Sequence, residues 1–418
     1  MRASWFNTPH GNERLYVLEA GPRASRHPPL VLIHGVGESG TADFYPVLAA
    51  LSRERHVLAV DLPGFGRSDP EDDDFGPERL VASVATVVEA CAPGKIDMLG
   101  HSSGGSLALL FASQHADWVR RLVLVDVAGI LRPEVLLRGQ LHQALTPMRD
   151  EVPGVSKAVQ AIGGAMIQAV QAMVPNAKAI AETGLLGKSP SVLAATALLD
   201  FNFGYAIERS KAPALILWGK DDQVAPPRIA HLLDDRLPES ELLFIADAGH
   251  VLMRDQPKPL SDAVLSYLDG KQPTAKSQEP RRPKQSEGVC KDQDDVTLTG
   301  DFERIVVSHC KHFRLQRVRA ARVHIEKSEG RIDETEIREG LTVDEAELSI
   351  TAGSVSGEVA IEAKKSRLDF AGAVIKGSKV AIRLHEDSEL VASVLRVESP
   401  LTNVILHEEI KADELREF

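Results

Sequence analysis

The chain has 418 residues, 43% hydrophobic and 26% charged, a globular composition too long for one core, so two domains are expected. Its formal net charge of −12 argues against nucleic acid or an anionic membrane surface as the main partner. From the N-terminus to Gly270, short apolar runs recur: LYVLEAG (15–21), PLVLIHG (29–35), HVLAVDLPG (56–64), IDMLGHS (96–102), RLVLVDVAG (121–129), ALILWGKDD (214–222) and ELLFIADAGH (241–250). Each ends on Gly, Asp or Pro punctuation, the pattern of a buried strand. Helix-length stretches separate several of them, such as 76–91 with Leu80, Val81, Val84, Val87 and Val88 at helical spacing. Apolar strands alternating with helices predict an α/β domain with a mostly parallel sheet covered on both faces. The chemistry of such a sheet belongs at the carboxyl ends of its strands.

The fourth run leads into Gly100-His101-Ser102-Ser103-Gly104, a G-x-S-x-G between a strand and the small-residue helix GGSLALLFASQ. A tight strand-to-helix turn there would push one serine outward, and the frame selects Ser102, because Ser103 would need Gly where His101 stands. A serine nucleophile needs a base, and His250 follows the last run in a Gly-preceded loop. It also needs an acid, and Asp221 and Asp222 end the run before. LIHGVGESG adds an early loop whose backbone N–H groups can face an oxyanion.

These segments, with DLPGFGRSD, WGKDDQVAP and AGHVLMRDQP, make residues 10–270 resemble the α/β-hydrolase superfamily, with its Ser…Asp…His chain order. That resemblance implies Ser102 as nucleophile, His250 as base, Asp222 as acid, and the N–H groups of Val36 and Ser103 as the oxyanion hole. The W-G-x-x-D-x-V-x-P spacing selects Asp222 over Asp221, and members with the acid one strand earlier make Asp126 the runner-up. Ser103 stands where the family more often has Met or another bulky residue, a change of little consequence because only its N–H is required. The implied activity is hydrolysis of carboxylic esters or thioesters of apolar-leaning small molecules. Carbon–carbon hydrolysis of the meta-cleavage kind, or a non-catalytic scaffold or filament-forming protein with a vestigial hydrolase domain, are the alternatives. Residues 131–210 occupy the place of the family's helical lid. Val159, Ile162, Met166, Ile167, Val170 and Met173 would wall an apolar pocket or pack the lid onto the domain. His34 and His101 are expected to be structural hydrogen-bonders, and the acidic stretch 70–78 a solvated turn. No cofactor and no metal are expected.

Residues 271–292 are polar and proline-bearing, and they read as a linker from a hydrolase domain over 1–270. Beyond it RIVV (304–307), RVHI (322–325), LTVD (341–344), VAIE (359–362) and VAIR (380–383) recur at a nearly even spacing. FRLQ, RIDE, ELSI and RLDF form a second series, and Val318, Ile337, Val355, Val374 and Val394 a third. Three short strands per repeat of about 20 residues predict an all-β parallel β-helix over 293–418. The segment SVSGEVAIEAKKSRLDFAGAVIKG resembles bactofilin-type polymer repeats. Residues 291–418 hold 19 Lys and Arg against 26 Asp and Glu, net −7, so an anionic partner is disfavoured. The expected role is self-association, with 399–418 capping one end as a short strand and an acidic helix. His309, Cys310 and His312 lack a second ligand pair and read as a strand end, not a metal site.

Three cysteines, Cys91, Cys290 and Cys310, are too few and scattered for a disulfide framework, which points to a reducing, cytoplasmic setting. No apolar run reaches membrane-spanning length, and MRASWFNTPHGNERLY lacks the apolar core of a signal peptide.

Overall fold

The computed structural model describes residues 1–9, 14–37, 39–69, 75–92, 94–132, 190–270, 285–385 and 387–411. The chain divides into two units, Met1–Ala230 with Leu237–Lys276, and His231–Arg236 with Ser277–Phe418.

The strands of the first unit are β1 (Arg2–Asn7), β2 (Arg14–Ala20), β3 (Leu30–Ile33), β4 (Val57–Val60), β5 (Ile96–His101), β6 (Val119–Val125), β7 (Ala214–Gly219) and β8 (Ser240–Ile245). They form one sheet in the order β1-β2-β4-β3-β5-β6-β7-β8. β3 to β8 are parallel, while β1 and β2 run antiparallel at one edge. Every residue of β3, β4, β5 and β7 is buried, which is why β3, β4 and β7 are apolar throughout instead of alternating, and why the Asp97 of β5 is paired with arginine. The seven apolar runs correspond to β2 to β8; β1 was not expected from the sequence, because its side chains alternate between exposed and half-buried.

Among the helices, α1 (Tyr45–Leu51), α2 (Pro77–Cys91) and α3 (Ser103–Gln114) come first. α2 buries Leu80, Val81, Val84, Val87 and Val88, the expected stripe. α3 is buried from Ser103 through Ala112, and its small residues allow that depth: a Cβ on Gly105 would already lie 2.7 Å from Val127 Cγ2. α4 (Pro190–Leu199) and α5 (Gly204–Arg209) fall in the expected lid region, whose residues 133–189, including the Val159–Met173 stripe, lie outside the described residues. So do residues 70–74 of the acidic stretch. α6 (Arg228–Arg236), α7 (Leu252–Asp255) and α8 (Pro257–Leu268) complete the set. Just after α8, Asp269 accepts a hydrogen bond from the buried Arg55 at 2.9 Å, and Arg55 also pairs with the fully buried Asp97 at 3.0 Å. No described helix is long and apolar enough to cross a membrane.

The second unit is strand-rich: β9 (Gln285–Lys291), β10 (Thr297–Ser308), β11 (Lys311–Glu326), β12 (Glu329–Asp333), β13 (Glu336–Ile337), β14 (Leu341–Asp344), β15 (Glu347–Thr351), β16 (Ser354–Lys364), β17 (Arg367–Ala371), β18 (Val374–Leu384), β19 (Glu389–Ser393), β20 (Leu395–Glu398), β21 (Asn403–Leu406) and β22 (Glu409–Lys411). Strands up to β20 pair in parallel, each with chain one repeat away. Leu315, Ile332, Ile350, Phe370 and Ala392 align in one column. Ala320, Ile337, Val355, Ile375 and Val397 align in another. The expected third series was therefore two residues out at Val318 and one at Val374, while Val394 sits at a bend with φ 55°. Bends at Lys327, Glu345 and Lys365 also have φ near 45–50°, and the N–H groups of Lys327 and Glu345 donate to Asp344 and Lys364 one repeat on. Beside these bends a buried serine closes the ladder: Ser328 Oγ accepts from Cys310 N–H at 3.0 Å and Ser366 Oγ from Ala346 N–H at 3.1 Å.

Two expectations change. Gln285–Lys291, read as linker, is a strand that pairs with β10, a mostly polar one with only Gly288 and Cys290 turned inward. Cys290 and Cys310 are joined as a disulfide, so the cysteine count no longer supports a reducing compartment, and the thiol of the His309-Cys310-Lys311-His312 cluster is occupied. At the far end β21 and β22 pair antiparallel with β20 and β19, two strands where one was expected, and 412–418 lie outside the described residues.

Candidate active site

The bend between β5 and α3 is made by one residue. Ser102 takes φ 55° and ψ −129°, a conformation that costs a side-chain-bearing residue of order 1–3 kcal/mol. Main-chain bonds hold it there: Ser102 N–H donates to Val125 O and Gly105 N–H to Ser102 O, both at 2.9 Å. The glycines on either side leave the space. A Cβ on Gly100 would overlap the Gly104 carbonyl oxygen, and one on Gly104 would overlap the carbonyl oxygens of Ile33 and His34. The end of β3 thus packs directly on the turn.

Ser102 is within reach of the expected partners. Its Oγ lies 2.9 Å from His250 Nε2, and His250 Nδ1 lies 2.9 Å from Asp222 Oδ2. A carboxylate oxygen only accepts, so Nδ1 carries the ring proton, Nε2 is the bare nitrogen, and the Ser102 hydroxyl donates to it. The other oxygen of Asp222 accepts from the N–H groups of Val224 at 2.7 Å and Ala225 at 3.0 Å. Those bonds hold the carboxylate in place against the imidazole. Asp221, one residue earlier, is exposed and contributes a main-chain bond to Ala248. Asp126 is fully buried and accepts from Gly219 N–H at 2.8 Å, and no described hydrogen bond joins it to His250.

Two further histidines shape the site without entering this chain. His34 Nε2 accepts from Leu62 N–H at 2.9 Å, so Nδ1 carries the proton and donates to Gly35 O. The carbonyl and N–H of one trans peptide point in opposite directions, so tethering Gly35 O turns Val36 N–H away from the His34 ring. A Cβ on Gly35 would stand 2.9 Å from Ser102 Cβ and 3.3 Å from its Oγ. This close approach is open to glycine alone. Neither Val36 N–H nor Ser103 N–H has an acceptor among the described residues. His101 Nε2–H donates to the carbonyl of His250 at 2.7 Å, and its ring lies against that of His250 with centroids 5.2 Å apart. Burial pushes both histidines toward the neutral form, His101 down to about 3 with the neighbouring His250 as the next cause.

Three features escaped the sequence: the His34 tether on Gly35, the His101 bond to His250 O, and the burial of Asp126. The Gly after His34 was the one available signal. Among the described residues no group of three or more His, Cys, Asp or Glu is placed to hold a metal ion.

The strand order, the turn at Ser102 and the Ser-His-Asp contacts define a protein built as an α/β hydrolase. The sequence model of the Alpha/beta hydrolase family matches residues 30–263, and the chain belongs to that family. An uncharacterized protein of Mycobacterium tuberculosis is 28% identical over 297 residues, covering 64% of this chain and 82% of the relative. The 2-hydroxy-6-oxo-6-(2'-aminophenyl)hexa-2,4-dienoic acid hydrolase of Metapseudomonas resinovorans is 27% identical, covering 60% of this chain and 86% of that protein. The 2-hydroxy-6-oxo-2,4-heptadienoate hydrolase of Pseudomonas putida is 30% identical, covering 57% and 88%.

Proposed function

We propose that the protein is a serine hydrolase that cleaves carboxylic esters or thioesters of small, apolar-leaning substrates. The observation that carries this reading is the unbroken contact from Ser102 Oγ through His250 to Asp222. As Ser102 Oγ attacks the carbonyl carbon, its proton passes to His250 Nε2, and Asp222 holds the resulting imidazolium. The carbonyl oxygen becomes an oxyanion facing the N–H groups of Val36 and Ser103, each donor contributing about 3–4 kcal/mol. The imidazolium gives its proton to the leaving alcohol or thiol. Water, deprotonated by the same nitrogen, then cleaves the acyl-enzyme. No step calls on a cofactor.

The second reading is hydrolysis of a carbon–carbon bond in a vinylogous diketone, which the names of the Metapseudomonas and Pseudomonas relatives favour. Steady-state kinetics with p-nitrophenyl butyrate and with a 2-hydroxy-6-oxodienoate separate the two. Ester turnover that disappears in Ser102→Ala, with no dienoate turnover, supports the first. Dienoate turnover without ester turnover supports the second, and neither activity in folded protein contradicts both.

We infer further that the C-terminal unit is a parallel β-helix through which the chain self-associates. In-register parallel columns, each strand one repeat from the next, support the architecture. β21 and β22 border β20 and β19, so association would use another surface.

A further inference from the structure

We propose that Asp126 is a positioning residue that braces the turn carrying Asp222 against the loop carrying His250. The proposal rests on the Ser-His-Asp reading and adds a fourth side chain to it. Asp126 follows β6 with φ 44°, rare for a residue with a side chain, and its N–H donates to Leu217 O at 3.0 Å. This anchorage turns the carboxyl toward the end of β7, where Oδ1 accepts from Gly219 N–H at 2.8 Å. Gly219 is the pivot of both loops. Its carbonyl accepts from Asp222 N–H at 3.3 Å, opening the turn that presents the acid. Its α-carbon packs so closely on Ala248 and Gly249 that a Cβ would overlap the Gly249 carbonyl oxygen. His250 is the next residue. Through Gly219 one side chain therefore bears on the main chain that sets the acid and, by packing, on the main chain that leads to the base.

The chemistry of the carboxyl suits bracing and not proton relay. Burial above all, then the charges of Asp222 and Asp255, push its pKa up to about 9 against the pull of the Gly219 and Leu252 N–H groups. Oδ2 has no hydrogen-bond partner among the described residues, a placement a neutral acid tolerates better than an anion. Asparagine keeps the accepting oxygen and the shape, whereas alanine removes the brace.

The test uses the full chain with Asp126→Asn and Asp126→Ala. Two readouts are followed: kcat and KM on p-nitrophenyl butyrate, and the low-field NMR resonance of the His250 Nδ1 proton, assigned by its loss in Asp222→Asn. Asp126→Asn should retain kcat within about threefold and keep the resonance. Asp126→Ala should lower kcat at least tenfold with KM within about threefold, and shift or lose the resonance. Wild-type kinetics in Asp126→Ala would overturn the proposal. So would Asp126→Asn losing both activity and resonance, a result that Asp126→Asn decides even if the alanine variant does not fold. The resonance does not depend on turnover, so an inactive wild-type protein that shows it would count against the hydrolase reading alone.

Discussion

Burial leaves His101 unable to accept a proton that the unfolded chain takes up near 6.5, since its folded pKa lies at about 3. Stability from this group is therefore complete above pH 6.5 and drains away as pH falls toward 3, by about 4–5 kcal/mol at full extent. Urea unfolding at pH 7 and pH 4 should show a larger loss for the wild type than for His101→Gln; equal losses would contradict the buried neutral ring. The acid assignment is tested by a neighbouring pair. Asp222→Asn should lower kcat by about 10⁴, as expected when the imidazole loses its orienting carboxylate, while Asp221→Asn keeps most of it. The reverse outcome would move the acid. Ser102, Asp222 and His250 were legible in the sequence because each stands close to glycine at the end of an apolar run. The bond from His101 to the His250 carbonyl was not, since it joins a side chain to main chain 149 residues away.

At the scale of elements, the turn between β5 and α3 depends on glycines for space, and this can be separated from glycine content in general. Gly104→Ala would force a Cβ into the carbonyl oxygens at the end of β3, whereas the nearest atom to a Cβ on Gly37 is 3.9 Å away. Gly104→Ala should cost at least about 2 kcal/mol and most of the activity, and Gly37→Ala under about 0.5 kcal/mol. Thermal melts and ester assays of the two variants check this; equal effects would show that the close packing at Gly104 is not what the turn requires. Fully buried strands such as β3 and β7 announce themselves as apolar runs. The third column of the C-terminal unit was harder to register, because Val318 and Val394 are as buried as the paired Ala320 and Val397. Burial at a bend and burial within a strand give the same sequence signal.

For the molecule as a whole, Ser102, Asp222 and His250 all come from the first unit. Residues 1–270 should fold alone as a monomer with near-full activity on a small ester, and the full chain should be oligomeric. Light scattering with an ester assay on both chains checks this, and a truncated enzyme that is folded but inactive would make the second unit part of the site. The most direct measurement is labelling of the full-length folded protein with a fluorophosphonate probe, read by intact mass and peptide mapping. The proposed mechanism requires one adduct per chain on Ser102, absent in Ser102→Ala and slowed by orders of magnitude in His250→Ala. A folded protein that forms no adduct at Ser102, or forms it equally fast without His250, would contradict it.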